Sequence, residues 1–128
     1  NKEVKHREYF RPFAPVVIEE KAFEIFDLKQ VSPFMLLACT VKEEYVSKIP
    51  SVTHVDRTAR VQTVNMSQEP FMHELLKEFE VLSGVPVLLN TSFNDNGEPI
   101  VESPQDAIQT FLNTKIDVLV LENYLIEK

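Results

Sequence analysis

The chain has 128 residues, of which 44% are hydrophobic and 26% charged, with one cysteine and a net charge of −7. Those totals describe one soluble domain able to bury a core without disulfides or a structural metal. They argue against a membrane span, which needs ~18 consecutive apolar residues, and against a long RNA or DNA ligand, which depends on many cation–phosphate contacts.

Asn1–Arg11 holds Lys2, Lys5, Arg7 and Arg11 plus His6, against Glu3 and Glu8 alone. No methionine precedes this basic stretch, and the chain reads as a fragment of a longer protein. Val16-Val17-Ile18 is a β-branched run suited to a strand, with Pro15 in front of it. Glu19–Leu28 fits a short amphipathic helix through Ala22, Phe23, Ile25 and Phe26. The continuous apolar run Phe34–Val41 reads as a buried strand, and Cys39 within it as a buried structural thiol, in keeping with a reducing cytoplasm. Val52–Val64 is rich in Val and Thr and predicts a strand, a break near Asp56-Arg57, and more strand. Here Arg57 and Arg60 form a second concentration of cations beside the single acid Asp56.

Glu69–Ser83 is the clearest helix, with Phe71, Leu75, Phe79 and Leu82 as its stripe and Met72 and Leu76 beside them. Pro70 suits its first turn and Gly84 its stop. Val85–Leu89 reads as a strand running into Asn90-Thr91-Ser92-Phe93-Asn94. Asn96-Gly97 is a turn pair, and Pro99-Ile100-Val101 a candidate return strand. Ser103-Pro104-Gln105-Asp106 opens a helix with a capping pattern, whose stripe is Ala107, Ile108, Phe111 and Leu112. Ile116–Leu121 is a further buried strand, and Tyr124–Ile126 a candidate for one more. This irregular alternation predicts an α+β protein with a mixed, twisted sheet and packed helices, not a regular doubly wound sheet. With only two glycines there is no glycine-rich phosphate loop; any phosphate must be held by side chains.

Taken singly, each polar pattern has an ordinary structural reading. Lys5-x-Arg7 is common on surfaces, Ser92 and Asn94 sit in a turn-rich stretch where side chains bond nearby backbone, and Arg60 suits a solvent-facing strand position. His54-x-Asp56 offers too few ligands for a metal and fits a turn. Phe10, Phe13 and Phe34 read as core residues.

Three segments carry more together than apart: Lys5–Pro15 (KHREYFRPFAP), Thr53–Val64 (THVDRTARVQTV) and Val85–Val101 with its VPVLLNTSFN start. In this order they resemble the C-terminal domain of the NodU/TobZ-type O-carbamoyltransferases, across essentially the whole chain. That resemblance implies a YrdC-like fold that binds ATP with Mg2+ and carbamoyl phosphate, forms carbamoyladenylate and releases pyrophosphate. A Kae1-like domain, preceding it in that family, would move the carbamoyl group to an acceptor hydroxyl and carry its own metal. The resemblance assigns Lys5 and Arg7 of a Lys-x-Arg pair, and Ser92 and Asn94 of a Ser-x-Asn pair, to the nucleotide. Arg11, Arg60 and Asn90 join the ligand set, with Lys5, Arg11 and Arg60 acting on the reacting anions. One departure is Arg57, where the family usually has glycine. Arginine adds charge there and lacks glycine's backbone freedom. Rival readings are a non-catalytic nucleotide-binding module of the same fold, a YrdC-type protein making threonyl-carbamoyl adenylate for tRNA modification, and an interaction domain without a small ligand.

Overall fold

A computed structural model describes all residues from Asn1 to Lys128. The chain divides into two compact units, a major one of Pro12–Thr91 and a minor one of Asn1–Arg11 with Ser92–Lys128.

In the major unit, strand β1 (Ala14–Ile18) is the middle of a three-stranded mixed sheet. It runs parallel to β4 (Gln62–Val64), with Val17 beside Thr63, and antiparallel to β5 (Val87–Asn90), with Val17 beside Val87. All five β1 residues are buried because both faces are covered. Val17 packs with Ile25, Phe26, Val41, Val61 and Val87, while Val16 and Ile18 on the other face meet Val64 and Leu76. Each such burial is worth about 1.5–3 kcal/mol. Pro15 lies inside the strand, not ahead of it. It has no N–H to give, and the ladder to β4 begins one residue later, at Val16 beside Gln62.

Helix α1 (Glu19–Ile25) follows β1 directly and buries Ala22 and Ile25. The predicted strand Phe34–Val41 shrinks to β2 (Ala38–Thr40), which pairs with β3 (Thr58–Arg60) alone. Met35 turns the chain at a φ of 56°, and Phe34 and Leu36 are 78% and 81% exposed. Apolar composition suggested burial there, but no neighbouring strand exists to pair with 34–37. Cys39 is half-buried, and its Sγ points to the Ala59 carbonyl at 3.8 Å.

A short helix α2 (Glu43–Val46) and a 3-10 turn at Pro50–Val52 precede the predicted Val52–Val64 strand region, and the turn takes its first residue, Val52. The break at Asp56-Arg57 is a tight turn: Thr58 donates N–H and Oγ–H to Asp56 Oδ1 at 3.0 and 2.7 Å. The His54 ring sits 3.0 Å from Thr58 Oγ1 in the same turn. Arg57 has a φ of 64°, so it occupies the left-handed region that glycine enters freely. Beyond it, β3 and β4 belong to different sheets, hinged at the fully buried Val61.

Helix α3 (Pro70–Ser83) ends at Gly84, whose φ of 80° closes it through a bond to the Glu80 carbonyl. Its buried side is His73 and Leu76. The predicted stripe is turned outward, with Phe71, Leu75 and Leu82 exposed. Both stripes satisfy helical spacing, and the sheet selects the one bearing Leu76, which packs between Ile18 and Val64. His73 Nε2 lies 3.0 Å from a Glu20 carboxylate oxygen.

In the minor unit, α4 (Pro104–Asn113) opens with the full capping box. Asp106 N–H donates to Ser103 Oγ at 3.2 Å and Ser103 N–H to Asp106 Oδ2 at 3.0 Å, an arrangement worth about 1 kcal/mol. Ala107 and Phe111 pack on Leu119, with Phe93, Val101 and Ile126 around them. Ile108 and Leu112 of the predicted stripe are exposed. Strands β6 (Val118–Leu121) and β7 (Tyr124–Glu127) form a hairpin, so the final short strand exists, while Val118 and Val120 face outward. Pro99–Val101 is not a strand. One bond, Val101 N–H to Phe93 O at 2.9 Å, closes the loop around Gly97.

The result is an α+β fold with three small sheets and four helices. No helix is long and apolar enough to cross a membrane.

Candidate functional site

The minor unit draws together two of the sequence motifs, 87 residues apart. Lys5 is 7% exposed, and its ammonium donates to Ser92 O at 2.9 Å, Asn94 O at 2.5 Å and Asn94 Oδ1 at 2.8 Å. Ser92 Oγ lies at 3.5 Å, the limit of a hydrogen bond. An ammonium has three N–H bonds, and here all three are used by protein acceptors. Lys5 therefore acts first as a pin that shapes the 92–94 loop. That loop is closed further by Ser92 Oγ–H donating to Asn94 Oδ1 at 2.6 Å and Asn94 Nδ2 donating to Glu98 O at 2.8 Å.

The same unit crowds its cations. Burial lowers the Lys5 pKa, and the charges of Arg7 and then Arg11 lower it further, against the opposing pull of Asp95. Burial likewise lowers the Arg7 pKa, with Arg11 adding to it and Glu8 opposing. Neighbouring positive charge thus disfavours the charged forms of Lys5 and Arg7, and an arriving anion would relieve that repulsion. Arg7 Nε donates to Asn1 Oδ1 at 2.7 Å. Arg11 is exposed, its carbonyl accepts from Asn1 Nδ2, and its guanidinium lies 3.8 Å from the Glu8 carboxylate across water-facing side chains, a pairing of little energetic weight. Its guanidinium is accessible to a ligand.

Two partners of this cluster are invisible to motif reading. His6, the middle residue of Lys5-x-Arg7, holds a φ of 45°, and its Nδ1 lies 2.8 and 2.9 Å from the two Asp95 carboxylate oxygens. Asp95 follows Asn94, so this pair joins the two motifs a second time. The Asn96 backbone N–H and then His6 hold the Asp95 carboxyl below the ordinary carboxylate range. The only signal in the sequence was that each residue stands next to a motif position.

Arg60 and Asn90 belong to the major unit. Arg60 is exposed on β3, opposite Ala38, and forms no ion pair. Asn90 ends β5, and its Nδ2 donates to Gln62 Oε1 and to Met35 Sδ at 3.4 Å. Phe10, expected in the core, is 83% exposed, as Phe34 is, whereas Phe13 packs on the core. No group of three or more His, Cys, Asp or Glu side chains is arranged to hold a metal.

Residues 1–128 match the family model described as carbamoyltransferase C-terminus. Nodulation protein NolNO of Sinorhizobium fredii is 50% identical over 128 residues, covering 98% of this chain and 19% of that protein. Nodulation protein NolO of Bradyrhizobium diazoefficiens is 45% identical over 131 residues, covering 100% of this chain and 24% of that protein. Nodulation protein U of Rhizobium tropici is 46% identical over 95 residues, covering 74% of this chain and 16% of that protein. The chain thus spans less than a quarter of the length of these relatives. With a match that runs from its first residue to its last, the chain belongs to the carbamoyltransferase C-terminus family.

Proposed function

We propose that this chain is the carbamoyl-activating part of an O-carbamoyltransferase, binding ATP and carbamoyl phosphate and forming carbamoyladenylate. In that reaction water first hydrolyses carbamoyl phosphate, the bond between the bridging oxygen and one of its two centres breaking, to give carbamate and inorganic phosphate. A carbamate oxygen then bonds to the α-phosphorus of ATP, the bond from that phosphorus to the bridging oxygen breaks, and pyrophosphate leaves. A Kae1-like domain elsewhere in the polypeptide would pass the carbamoyl group to a hydroxyl.

The observation that carries this reading is the grouping of Arg7 and Arg11 with Lys5, whose ammonium is bonded to the Ser92–Asn94 loop. Bringing anions together is the main obstacle in such chemistry, and catalysis comes from positioning and charge stabilisation. Arginine suits the task because its planar fork binds phosphate through two hydrogen bonds. Arg7 and Arg11 are the guanidiniums of the cluster. Lys5 keeps Ser92 and Asn94 in place to orient ligand oxygens. Arg60 and Asn90 join the proposal on the strength of the resemblance, and the lack of a carboxylate partner leaves Arg60 open to an anion. In this reading the magnesium ion arrives on the phosphates of ATP.

Calorimetric titration with magnesium-ATP, with and without carbamoyl phosphate, tests it on the wild-type chain and on Arg7→Ala and Arg60→Ala. Binding that weakens at least tenfold in Arg7→Ala supports the clamp. Pyrophosphate exchange dependent on carbamoyl phosphate in the full-length enzyme supports the chemistry. Absence of both binding and exchange in the full-length enzyme refutes the reading, and exchange driven by threonine and bicarbonate would reassign it to threonyl-carbamoyl adenylate formation.

A further inference from the structure

In a regular strand the two ends of a Lys-x-Arg triplet point to the same side, because side chains alternate with a period of two. Here the chain between them is bent, since His6 has a φ of 45°, and the two side chains go to different partners. Lys5 is buried and bonds the 92–94 loop. Arg7 is held at Asn1, whose carbonyl accepts its backbone N–H at 3.1 Å and whose Oδ1 accepts its Nε–H at 2.7 Å. The Asn1 amide nitrogen donates in turn to the carbonyls of Tyr9 and Arg11, so one side chain ties the segment bearing Arg11 to the place where Arg7 lies.

A residue with a Cβ enters the left-handed region at a cost, so the bend at His6 needs a restraint. The Asp95 carboxylate supplies it, with its two oxygens 2.8 and 2.9 Å from His6 Nδ1. A carboxylate only accepts hydrogen bonds, so the Nδ1 proton is the one shared. Asp95 is itself fixed: its Oδ1 accepts the Asn96 N–H at 2.6 Å, and it follows Asn94, which holds Lys5 through both its carbonyl and its side-chain oxygen. The bend is therefore anchored at two successive residues, Lys5 and His6, immediately before Arg7.

We propose that His6 and Asp95 are positioning residues of the anion site, holding the bend that sets where the Arg7 guanidinium, and through Asn1 the segment of Arg11, meets an anion. The inference rests on the reading that these cations take phosphates, and it adds two residues that act through Arg7 and not on the ligand. Asp95 has a second, opposite effect. Its negative charge lies close enough to Lys5 to favour the ammonium, and by charge alone it repels an arriving anion. Removing it tightens anion binding if charge dominates and weakens binding if positioning dominates. The sign of the change decides between them.

The test is titration of the 128-residue chain with inorganic pyrophosphate, followed by NMR of the Arg7 Nε–H, for the wild type, Asp95→Ala, His6→Val and His6→Asn. Without ligand, His6→Val should displace the Arg7 resonance and His6→Asn should not, because asparagine enters the left-handed region readily and its amide can donate to Asp95. Asp95→Ala and His6→Val should bind pyrophosphate about tenfold more weakly, the scale of one lost charge-assisted hydrogen bond. His6→Asn should stay within about twofold of the wild type. Equal or tighter binding by Asp95→Ala would overturn the inference, as would an Arg7 resonance unmoved in His6→Val. So would His6→Asn binding as weakly as His6→Val, since the imidazole would then act on the anion directly. Each of those results leaves the cation cluster standing as an anion site. A wild-type chain whose Arg7 resonance ignores pyrophosphate removes that site, and this role with it.

Discussion

Replacing Lys5 by methionine isolates what the buried ammonium contributes. Methionine matches the length of the apolar stem but donates nothing to Ser92 O, Asn94 O and Asn94 Oδ1, which now hold the ammonium at 2.5–2.9 Å. A hydrogen bond from a charged donor contributes about 1.5–3 kcal/mol, and three bonds to one atom are not additive. Ser92 is exposed and Asn94 half-exposed, so water recovers part of the loss. The expected cost is about 2–3 kcal/mol, read as a fall in the melting temperature of roughly 6–12 °C. Amide resonances of 92–98 should shift, because the loop loses its pin. Lys5→Arg should not restore stability, since a planar fork cannot converge on three acceptors arranged around one point. Urea and thermal unfolding measure the cost. A loss under about 0.5 kcal/mol, with the 92–98 resonances unmoved, would refute the assignment of Lys5 as the organiser of this loop.

Three further outcomes follow from particular residues. Arg57→Gly should leave stability within about 0.5 kcal/mol, because relief at a φ of 64° is offset by glycine's extra freedom in the unfolded chain and by loss of the exposed pair with Glu43. Arg57→Val should cost about 1–2 kcal/mol by denaturant unfolding, and equal behaviour of the two variants would contradict the strain argument. Asp95 has a folded pKa below its ordinary value of 3.8, through the Asn96 N–H and then His6. Its contribution is therefore present above that value and lost as pH falls through the folded pKa. The stability difference between wild type and Asp95→Asn should shrink under acid, and a difference that stays constant down to pH ~2 would count against the pairing. Burial, with a smaller effect of Asp27, pushes the Cys39 thiol up to about 11. A thiol reagent at pH ~8 should modify the native chain about a hundredfold more slowly than the unfolded one, and equal rates would show that Cys39 is not shielded.

Local chemistry alone settled much of this molecule. Pro70 and Gly84 bound α3, and Ser103 with Asp106 caps α4, because these signals act within a turn of the backbone and need no distant partner. The same holds for the turn at Asp56-Arg57 and for the order of motifs that points to the family. Tertiary structure decided which stripe of α3 is buried, because Phe71–Leu82 and Met72–Leu76 are equally periodic and only the sheet discriminates between them. It decided that Phe34–Leu37 is not a strand, since a ladder requires a neighbouring strand, which Ala38 finds 22 residues on at Arg60 and residues 34–37 do not. It also decided the bonding of Lys5 to a loop 87 residues on, and the meeting of Asn90 and Gln62 over Ala14. Spacing along a chain encodes local conformation, whereas pairings across many residues arise only when burial of the apolar faces brings those segments together.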